Sequence, residues 1–414
     1  MKPLRVIVRT TNLLLLLTLL EPALAGDWPQ FLGPNRNATS NETGLLTTWP
    51  KDGPPKLWER KVGEGYSGPV VADGRLILFH RVGGDEVVES LDAATGKEQW
   101  KFAYACNYQD RYGKGDGPRS TPLVAGKHVY TLGADGRLHC LELATGKKVW
   151  DRALLTDYQV RDSFFGVATS PLLEGDKLLL NIGGKDAGIV ALDAATGKEV
   201  WKATNDDASY SSPVAATVDG VRHVFFFTRA GIVSIDPATG QVRFSRPFRA
   251  RIDASVNAAA PVAVGDRVFY SAEYATGEIQ LKVAKDRADE VWKSNQVLSC
   301  HYNTPVYHDG HLYGIDGRQE GGSARLRCID WPTGKSKWAQ KNFGCASLLL
   351  AEGQLIALCE NGELALIEAN PAGFQEKARV AVFKATPCRA EIALANGRLY
   401  ARDGEKLICW NLKK

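Results

Sequence analysis

The sequence predicts an all-β fold, an eight-bladed β-propeller of four-stranded antiparallel blades whose last blade is closed by an N-terminal strand. Three observations predict it. The first is a repeat that ends on an aromatic residue: SLDAATGKEQW ends at Trp100, CLELATGKKVW at Trp150, ALDAATGKEVW at Trp201, SIDPATGQVRF at Phe244 and CIDWPTGKSKW at Trp338. The second is a short polar pair, usually followed by Pro, an apolar run and a Gly turn. It recurs as SGPVVADGRL (67–76), STPLVAGKHV (120–129), TSPLLEGDKL (169–178), SSPVAATVDG (211–220), AAPVAVGDRV (259–268), NTPVYHDGHL (303–312), ASLLLAEGQL (346–355) and AEIALANGRL (390–399). The third is composition. The 414 residues include 41 Gly and 19 Pro, which favours many short elements over long helices.

Each unit reads as four strands separated by turns. In the second unit TPLVAG, HVYTLGADG, RLHCLELATG and KKVWDR each have strand length and end at a turn signal. Pro at the start of an inner strand is tolerated because a first residue need not donate to the ladder. Four strands in 40–50 residues, repeated eight times, is propeller arithmetic. The gap between the Thr-Gly pairs at 239–240 and 333–334 spans two units, with Trp292 inside it behind a degenerate lead-in, LKVAKDRADEVW. The eighth unit stops after its third strand, at CWNLKK. PPKLWERKVG (54–63) is a spare strand carrying Trp58, and assigning it to the last blade leaves no open edge.

Ahead of the ring the chain reads as residues 1–25, a signal peptide, and 26–53, a leader segment, with 54–414 as the propeller. Lys2, Arg5 and Arg9 form a basic region, Leu13–Leu20 an apolar one, and Ala23-Leu24-Ala25 a small-x-small cleavage pattern. The expected location is periplasmic or secreted, soluble after cleavage near Ala25. Gly26 follows the cut, so no lipid-bearing Cys is expected there. The chain carries 51 basic and 47 acidic residues, a balance that gives no reason to expect a nucleic-acid partner, and no segment reaches the roughly 20 apolar residues of a membrane span. A monomer is expected.

These residues carry a family resemblance. The pattern A-x-D-x-x-T-G-K-x-x-W, best matched by Ala191, Asp193, Thr196, Gly197, Lys198 and Trp201, resembles the tryptophan-docking motif of eight-bladed quinoprotein propellers. The leader DWPQFLGPNRN (27–37) resembles the start of exported PQQ-binding-like β-propeller repeat proteins. The chain is also similar to the non-catalytic scaffold of the outer-membrane β-barrel assembly machine. The first resemblance implies pyrroloquinoline quinone with calcium in a central funnel, beneath an adjacent Cys-Cys pair. This chain has no such pair, no CxxCH and no Trp at a channel-lining position. Glu391, Asn257 and Asn303 are the oxygen-bearing residues a calcium ion would need. The scaffold resemblance implies no cofactor.

Eight cysteines in an exported chain suggest disulfides, but the repeat frame assigns otherwise. Cys140, Cys328 and Cys409 fall at the first position of the eleven-residue pattern, where Ser90, Ala191 and Ser234 stand in other units. They read as small buried side chains. Cys345 and Cys388 precede the inner strands of neighbouring units, so one disulfide between them is open, with Cys300 as an alternative partner for Cys345.

Candidate functional residues follow from the inner strands, which line the channel. Three positions before the Pro-equivalent stand Tyr66, Arg119, Ala168, Tyr210, Ala258, Tyr302, Cys345 and Arg389. One further back stand Asn257, His301 and Cys388, and one position before it Thr121, Ser170, Ser212, Thr304 and Glu391. Tyr66, Arg119, Tyr210, Asn257, His301, Tyr302, Arg389 and Glu391 form the candidate ligand site. Three Tyr and two Arg in one ring suit a planar or anionic small ligand. The competing expectation is a structural ion-pair ring of Arg119, Arg389 and Glu391. The insertion CNYQDRYGKGDGPR (106–119) suits a recognition loop over the mouth. The resulting functional expectation is an exported binding or assembly platform for a protein partner or small ligand, without catalysis or cofactor. The alternative is a quinone-dependent oxidoreductase.

Overall fold

The computed structural model describes residues 26–160, 165–250, 252, 255–318, 322–385 and 387–414. The signal-peptide reading of 1–25 lies outside the described residues. Within them stand eight blades of four antiparallel strands in a propeller ring. Blades one to seven begin with inner strands at Val70–Ala72, Leu123–Ala125, Leu172–Glu174, Val214–Val218, Val262–Val264, Val306–His308 and Ala346–Ala351. Blade eight runs Ala393–Ala395, Arg398–Arg402 and Lys406–Asn411. Its outer strand is Lys56–Lys61, paired antiparallel with Lys406–Asn411 in the register Trp58↔Cys409 and Glu59↔Ile408. Inner strands of blades one and eight touch, closing the ring.

The residues that recur in the repeat each have a local task. Asp92 Oδ1 accepts hydrogen bonds from the Thr95 backbone N–H and hydroxyl, at 2.8 and 2.7 Å, and the same turn forms at Asp193–Thr196. The Gly that follows takes φ near +70°, which a side chain would disfavour. It also lies flat under an aromatic ring of the preceding blade: a Cβ at Gly146 would sit 2.4 Å from Trp100. Each indole then donates to a backbone carbonyl in that next-blade turn. The pairs are Trp58 to Ala93 (3.3 Å), Trp100 to Leu143 (2.8 Å), Trp150 to Ala194 (3.1 Å), Trp201 to Pro237 (3.1 Å), Trp292 to Trp331 (3.2 Å) and Trp338 to Asn370 (2.8 Å). Phe244 has no N–H to give, and Ala378 takes the corresponding register in blade seven. In every blade a one-residue bulge beside this position turns the preceding side chain outward, which leaves Leu57, Val149, Val200 and Val291 exposed on the rim.

Cys140, Cys328 and Cys409 are the middle members of cross-strand triads. They sit opposite Tyr130 and Trp150, Tyr313 and Trp338, and Tyr400 and Trp58. A small side chain lets the two flanking rings approach to 6.0 Å in each triad. Tyr130 and Trp150 share the Ala194 carbonyl, as Tyr400 and Trp58 share that of Ala93. All eight cysteines are buried thiols outside disulfides, so the Cys345–Cys388 and Cys345–Cys300 pairings do not form.

The polar pair before each inner strand ties blade to blade. Thr121 Oγ1 accepts from Gly68 N (3.3 Å), Ser170 Oγ from Thr121 N (2.9 Å), Ser212 Oγ from Ser170 N (2.9 Å) and Thr304 Oγ1 from Ala260 N (3.0 Å). This hydroxyl belt satisfies inner-strand donors that face the channel, where a buried orphan would cost about 1–3 kcal/mol. Blade eight differs: Glu391 stands in the hydroxyl slot, and blade one puts Gly68 against it. A Cβ on Gly68 would lie 2.9 Å from the Glu391 carbonyl oxygen.

The leader is built into the ring. Trp28 exchanges backbone hydrogen bonds with Val71 at 2.8 and 2.9 Å, the Pro29 carbonyl accepts from Val124, and the Ala38 carbonyl accepts from Leu350. Thr39–Ser40 then adds a parallel strand to blade seven. Between these anchors Arg36, 3% exposed, donates to the carbonyls of Ser170, Pro171 and Pro213 at 3.2, 2.9 and 2.9 Å and to Gln30 Oε1 at 3.1 Å. Burial lowers its pKa to about 9. Four acceptors repay part of the desolvation that a buried guanidinium requires. The segment carries no repeat period, so its place in the channel leaves no signal in the sequence.

Two outcomes check this architecture. A chain lacking residues 26–63 should expose the edge of Lys406–Asn411, lose cooperative unfolding and self-associate, as read by sedimentation and thermal melts; a soluble cooperative product would refute the latch. Burial raises the Cys140 and Cys409 thiols to about 12 and Cys328 to about 11. Native alkylation at pH 8 should therefore spare all three, with labelling only after denaturation.

Candidate binding site in the central cavity

At one end of the channel the inner strands surround a cavity of about 210 Å³. Tyr66, Arg119, Tyr210, His301, Tyr302, Arg389 and Glu391 line it, so seven of the eight sequence-selected residues come together. Phe31, Lys114, Phe165 and Tyr274 join them. Phe31 arrives with the leader, and Pro34–Asn37 on its other side border a second hollow of about 480 Å³ between blades three to six. The leader thus runs between two spaces, and the aromatic one is blind on that side.

Asn257 does not join the cavity. Its amide donates to the carbonyls of Thr228 and Phe248 at 2.8 and 3.3 Å, and its own carbonyl accepts from Tyr210 and Ser211 N–H at 3.1 Å each. The reason is backbone satisfaction. In blades one and two the Pro118 carbonyl does the same for Tyr66 and Ser67. The position before the ring residue thus serves the joint between blades, which its side chain follows. Cys345 is likewise buried and not among the lining residues.

The two arginines are held by carboxylates, though not by Glu391. Arg389 Nε lies 2.7 Å from Glu360 Oε1. Arg119 Nη2 lies 3.5 Å from Asp110 and also donates to the Gly115 carbonyl at 2.9 Å, while Nη1 donates to that of Gly117 at 3.2 Å. Both guanidiniums lie over the Tyr66 ring, at 5.8 Å for Arg119 and 5.3 Å for Arg389. The expected ring of Arg119, Arg389 and Glu391 is therefore replaced by two separate pairs, because the 106–119 loop supplies Asp110 and blade seven supplies Glu360. The loop does reach the mouth. Lys114 lines it, and the Lys114 carbonyl accepts from the Tyr66 hydroxyl.

Aromatic groups make most of the remaining wall. The Phe165 N–H donates to the Tyr210 hydroxyl at 3.1 Å and the two rings meet edge-on at 5.6 Å. His301 Nε2 pairs with the Tyr274 hydroxyl at 3.1 Å, its ring edge-on to Tyr274 and Tyr302. Burial, with the nearby Glu360 charge, lifts the Tyr302 hydroxyl well above its ordinary pKa. Glu391 sits on the floor. Enclosure by protein raises its carboxyl to about 7, against the lowering effect of the Ser347 hydroxyl. Sequence reasoning missed Phe31, Phe165 and Tyr274 because they come from the leader and from loops outside the inner-strand frame.

The lining does not fit a quinone with its calcium ion. Such an ion needs several oxygen ligands. Asn257 is spent on backbone carbonyls, Asn303 is not among the lining residues, and Glu391 is the one carboxylate in the described lining.

The raised Glu391 carboxyl has a consequence for stability. Its pKa in the folded chain lies above the ordinary 4.5, so folding disfavours the ionised form. The penalty is absent below about pH 4.5 and grows as pH rises through 7. Glu391→Gln should be more stable than the parent at pH 8.5, by on the order of 2–3 kcal/mol, and equal to it near pH 4. Chemical denaturation at both pH values reads the difference.

The geometry agrees with three comparisons. The crystal structure of BamB from Moraxella catarrhalis superposes with a TM-score of 0.63 at 17% identity, over 86% of this chain and 97% of that one. Quinohemoprotein alcohol dehydrogenase from Comamonas testosteroni gives 0.66 at 14%, over 95% and 82%. Quinohemoprotein alcohol dehydrogenase ADHIIG from Pseudomonas putida HK5 gives 0.62 at 15%, over 94% and 80%. At these identities the likeness is one of fold. No curated protein matches by sequence. The family model described as outer membrane protein assembly factor BamB matches residues 84–340, more than half of the chain, across blades one to six. With the ring, the repeat and that match in agreement, the chain belongs to the BamB family.

Proposed function

We propose that this chain is an exported, non-catalytic binding platform that holds its ligand or partner at the open mouth of the central cavity. One observation carries the reading: residues from separate blades, Tyr66, Arg119, Tyr210, Tyr302 and Arg389, converge with the 106–119 loop on one blind cavity. Such a cavity, mostly apolar with a few fixed polar groups, is the usual form of a ligand site. Membership of an assembly-factor family supports a protein partner beside the mouth. Tyr112, 52% exposed on that loop, is placed to meet it. Export rests on the sequence of residues 1–25. No helix among the described residues is long and apolar enough to cross a membrane. The quinone-dependent oxidoreductase remains the second reading on likeness of fold, and the lining residues count against it.

A photo-crosslinking residue at Tyr112 in exporting cells should give adducts that weaken when Arg389 is changed to Lys. That variant keeps a cation for Glu360, so its melting temperature should hold. The fork lost from a charged hydrogen bond should weaken capture by about 1.5–3 kcal/mol. Adducts from the rim position Val149 with none from Tyr112 would overturn the placement of the platform at the mouth.

A further inference from the structure

We infer that the cavity takes a neutral, hydroxyl-rich ring ligand, a mono- or disaccharide, with its ring faces on the aromatic wall and its hydroxyls shared between Glu391 and Arg389. The inference rests on the cavity being the working site, as proposed above, and adds the class of ligand.

Size comes first. At about 30 Å³ for each water, 210 Å³ has room for roughly seven waters. That suits a small ring ligand.

Charge decides between classes. Arg119 and Arg389 face Asp110 and Glu360 at 3.5 and 2.7 Å, so their charge is already balanced. An incoming carboxylate or phosphate would gain little from them and would meet Glu391 on the floor. An ammonium ligand could pair with Glu391 but would meet Lys114. The charges around the cavity already balance, Lys114, Arg119 and Arg389 against Asp110, Glu360 and Glu391, so a charged ligand of either sign would leave an excess charge in an enclosed site, which is costly. A neutral ligand avoids that cost.

Hydrogen-bond chemistry points the same way. A hydroxyl donates once and accepts twice. It matches a wall where the guanidinium donors of Arg119 and Arg389 share the lining with one carboxylate acceptor, Glu391. Glu391 deepens that match: it occupies a slot that carries hydroxyls in Thr121, Ser170, Ser212 and Thr304. A carboxyl placed there against the pattern of the belt gives the floor an acceptor that the belt hydroxyls, bonded to neighbouring backbone, do not supply.

Three of the four lining tyrosines supply surface rather than hydroxyls. Tyr66 donates to the Lys114 carbonyl, Tyr210 accepts from Phe165 and Tyr274 pairs with His301. With their polar ends engaged inside the protein, their rings offer the cavity an apolar face, the partner of a sugar ring's C–H surface.

The test is calorimetric titration of the full-length exported chain at pH 7.5. Its probes are a panel of neutral hexoses and pentoses with their α- and β-linked disaccharides, glucuronate and citrate as anions, and phenyltrimethylammonium as a cation. Saturable binding of at least one neutral sugar is expected, weakened tenfold or more in Glu391→Gln and in Tyr302→Leu. The melting temperature of each variant is read alongside, and Glu391→Gln should not fall. Preferential binding of a charged probe, lost in Arg389→Lys, would overturn the sugar assignment while leaving the cavity as the site. Failure of every probe would also overturn it, and the crosslinking from Tyr112 would then decide the platform reading separately. Sugar binding unaffected by either variant would place the sugar elsewhere and overturn the proposal.

Discussion

Everything in this molecule depends on closing a ring whose two ends come from opposite ends of the chain. The outer strand of blade eight, Lys56–Lys61, pairs with Lys406–Asn411, so a separation of about 350 residues is fixed by one antiparallel ladder. Without it blade eight would end on an open edge and Trp58 would lose both its Cys409 neighbour and its acceptor on Ala93. Arg402 reinforces the joint from within: it is fully buried, and it donates to the Gly63 and Phe79 carbonyls, across from blade eight to the latch and to blade one. Burial lowers its pKa to about 10, as expected for a guanidinium satisfied by carbonyls rather than by free carboxylates.

Two rings of hydrogen bonds then hold the blades at fixed spacing, one outside and one inside. Outside, indole N–H groups reach the next blade's turn. Inside, belt hydroxyls receive the preceding blade's backbone N–H. Both work because the same residue recurs at the same register, so each blade offers what its neighbour lacks. A departure from the pattern therefore stands out. Phe244 and Ala378 are departures that lose a hydrogen bond and keep the packing. Glu391 is of another kind, since it introduces a carboxyl group into a mostly apolar enclosure. A scaffold gains nothing in stability from that exchange, which is why the cavity floor reads as a site of function.

The leader changes what the channel is. In an open ring the channel would run through the molecule. Here Trp28 to Ser40 crosses it, anchored on blades one, two, three, four and seven, with Leu32, Arg36 and Ala38 held at positive φ. Non-glycine residues in that region carry strain that the surrounding contacts must hold. The result is a blind aromatic cavity on one side and a separate polar hollow on the other.

The sequence by itself determined the repeat, the blade count, the latch and the inner-strand positions that face the channel. A period of 43–51 residues can be read without knowing any contact, and counting three positions back from the Pro-equivalent residue assigns Tyr66, Arg119, Tyr210, Tyr302 and Arg389 to one ring. It also determined the free state of Cys140, Cys328 and Cys409, because their slot in the repeat is a packing slot. Only the tertiary structure decided what those side chains do. Asn257 shares the periodicity of its neighbours but turns to backbone carbonyls, since hydrogen-bond satisfaction between blades outweighs exposure to the channel. Asp110 and Glu360, which hold the arginines, belong to a loop and a turn that no period governs. Phe31, Phe165 and Tyr274 reach the cavity from segments whose path depends on what they pack against, and packing over distances of many residues leaves no local signal in the chain.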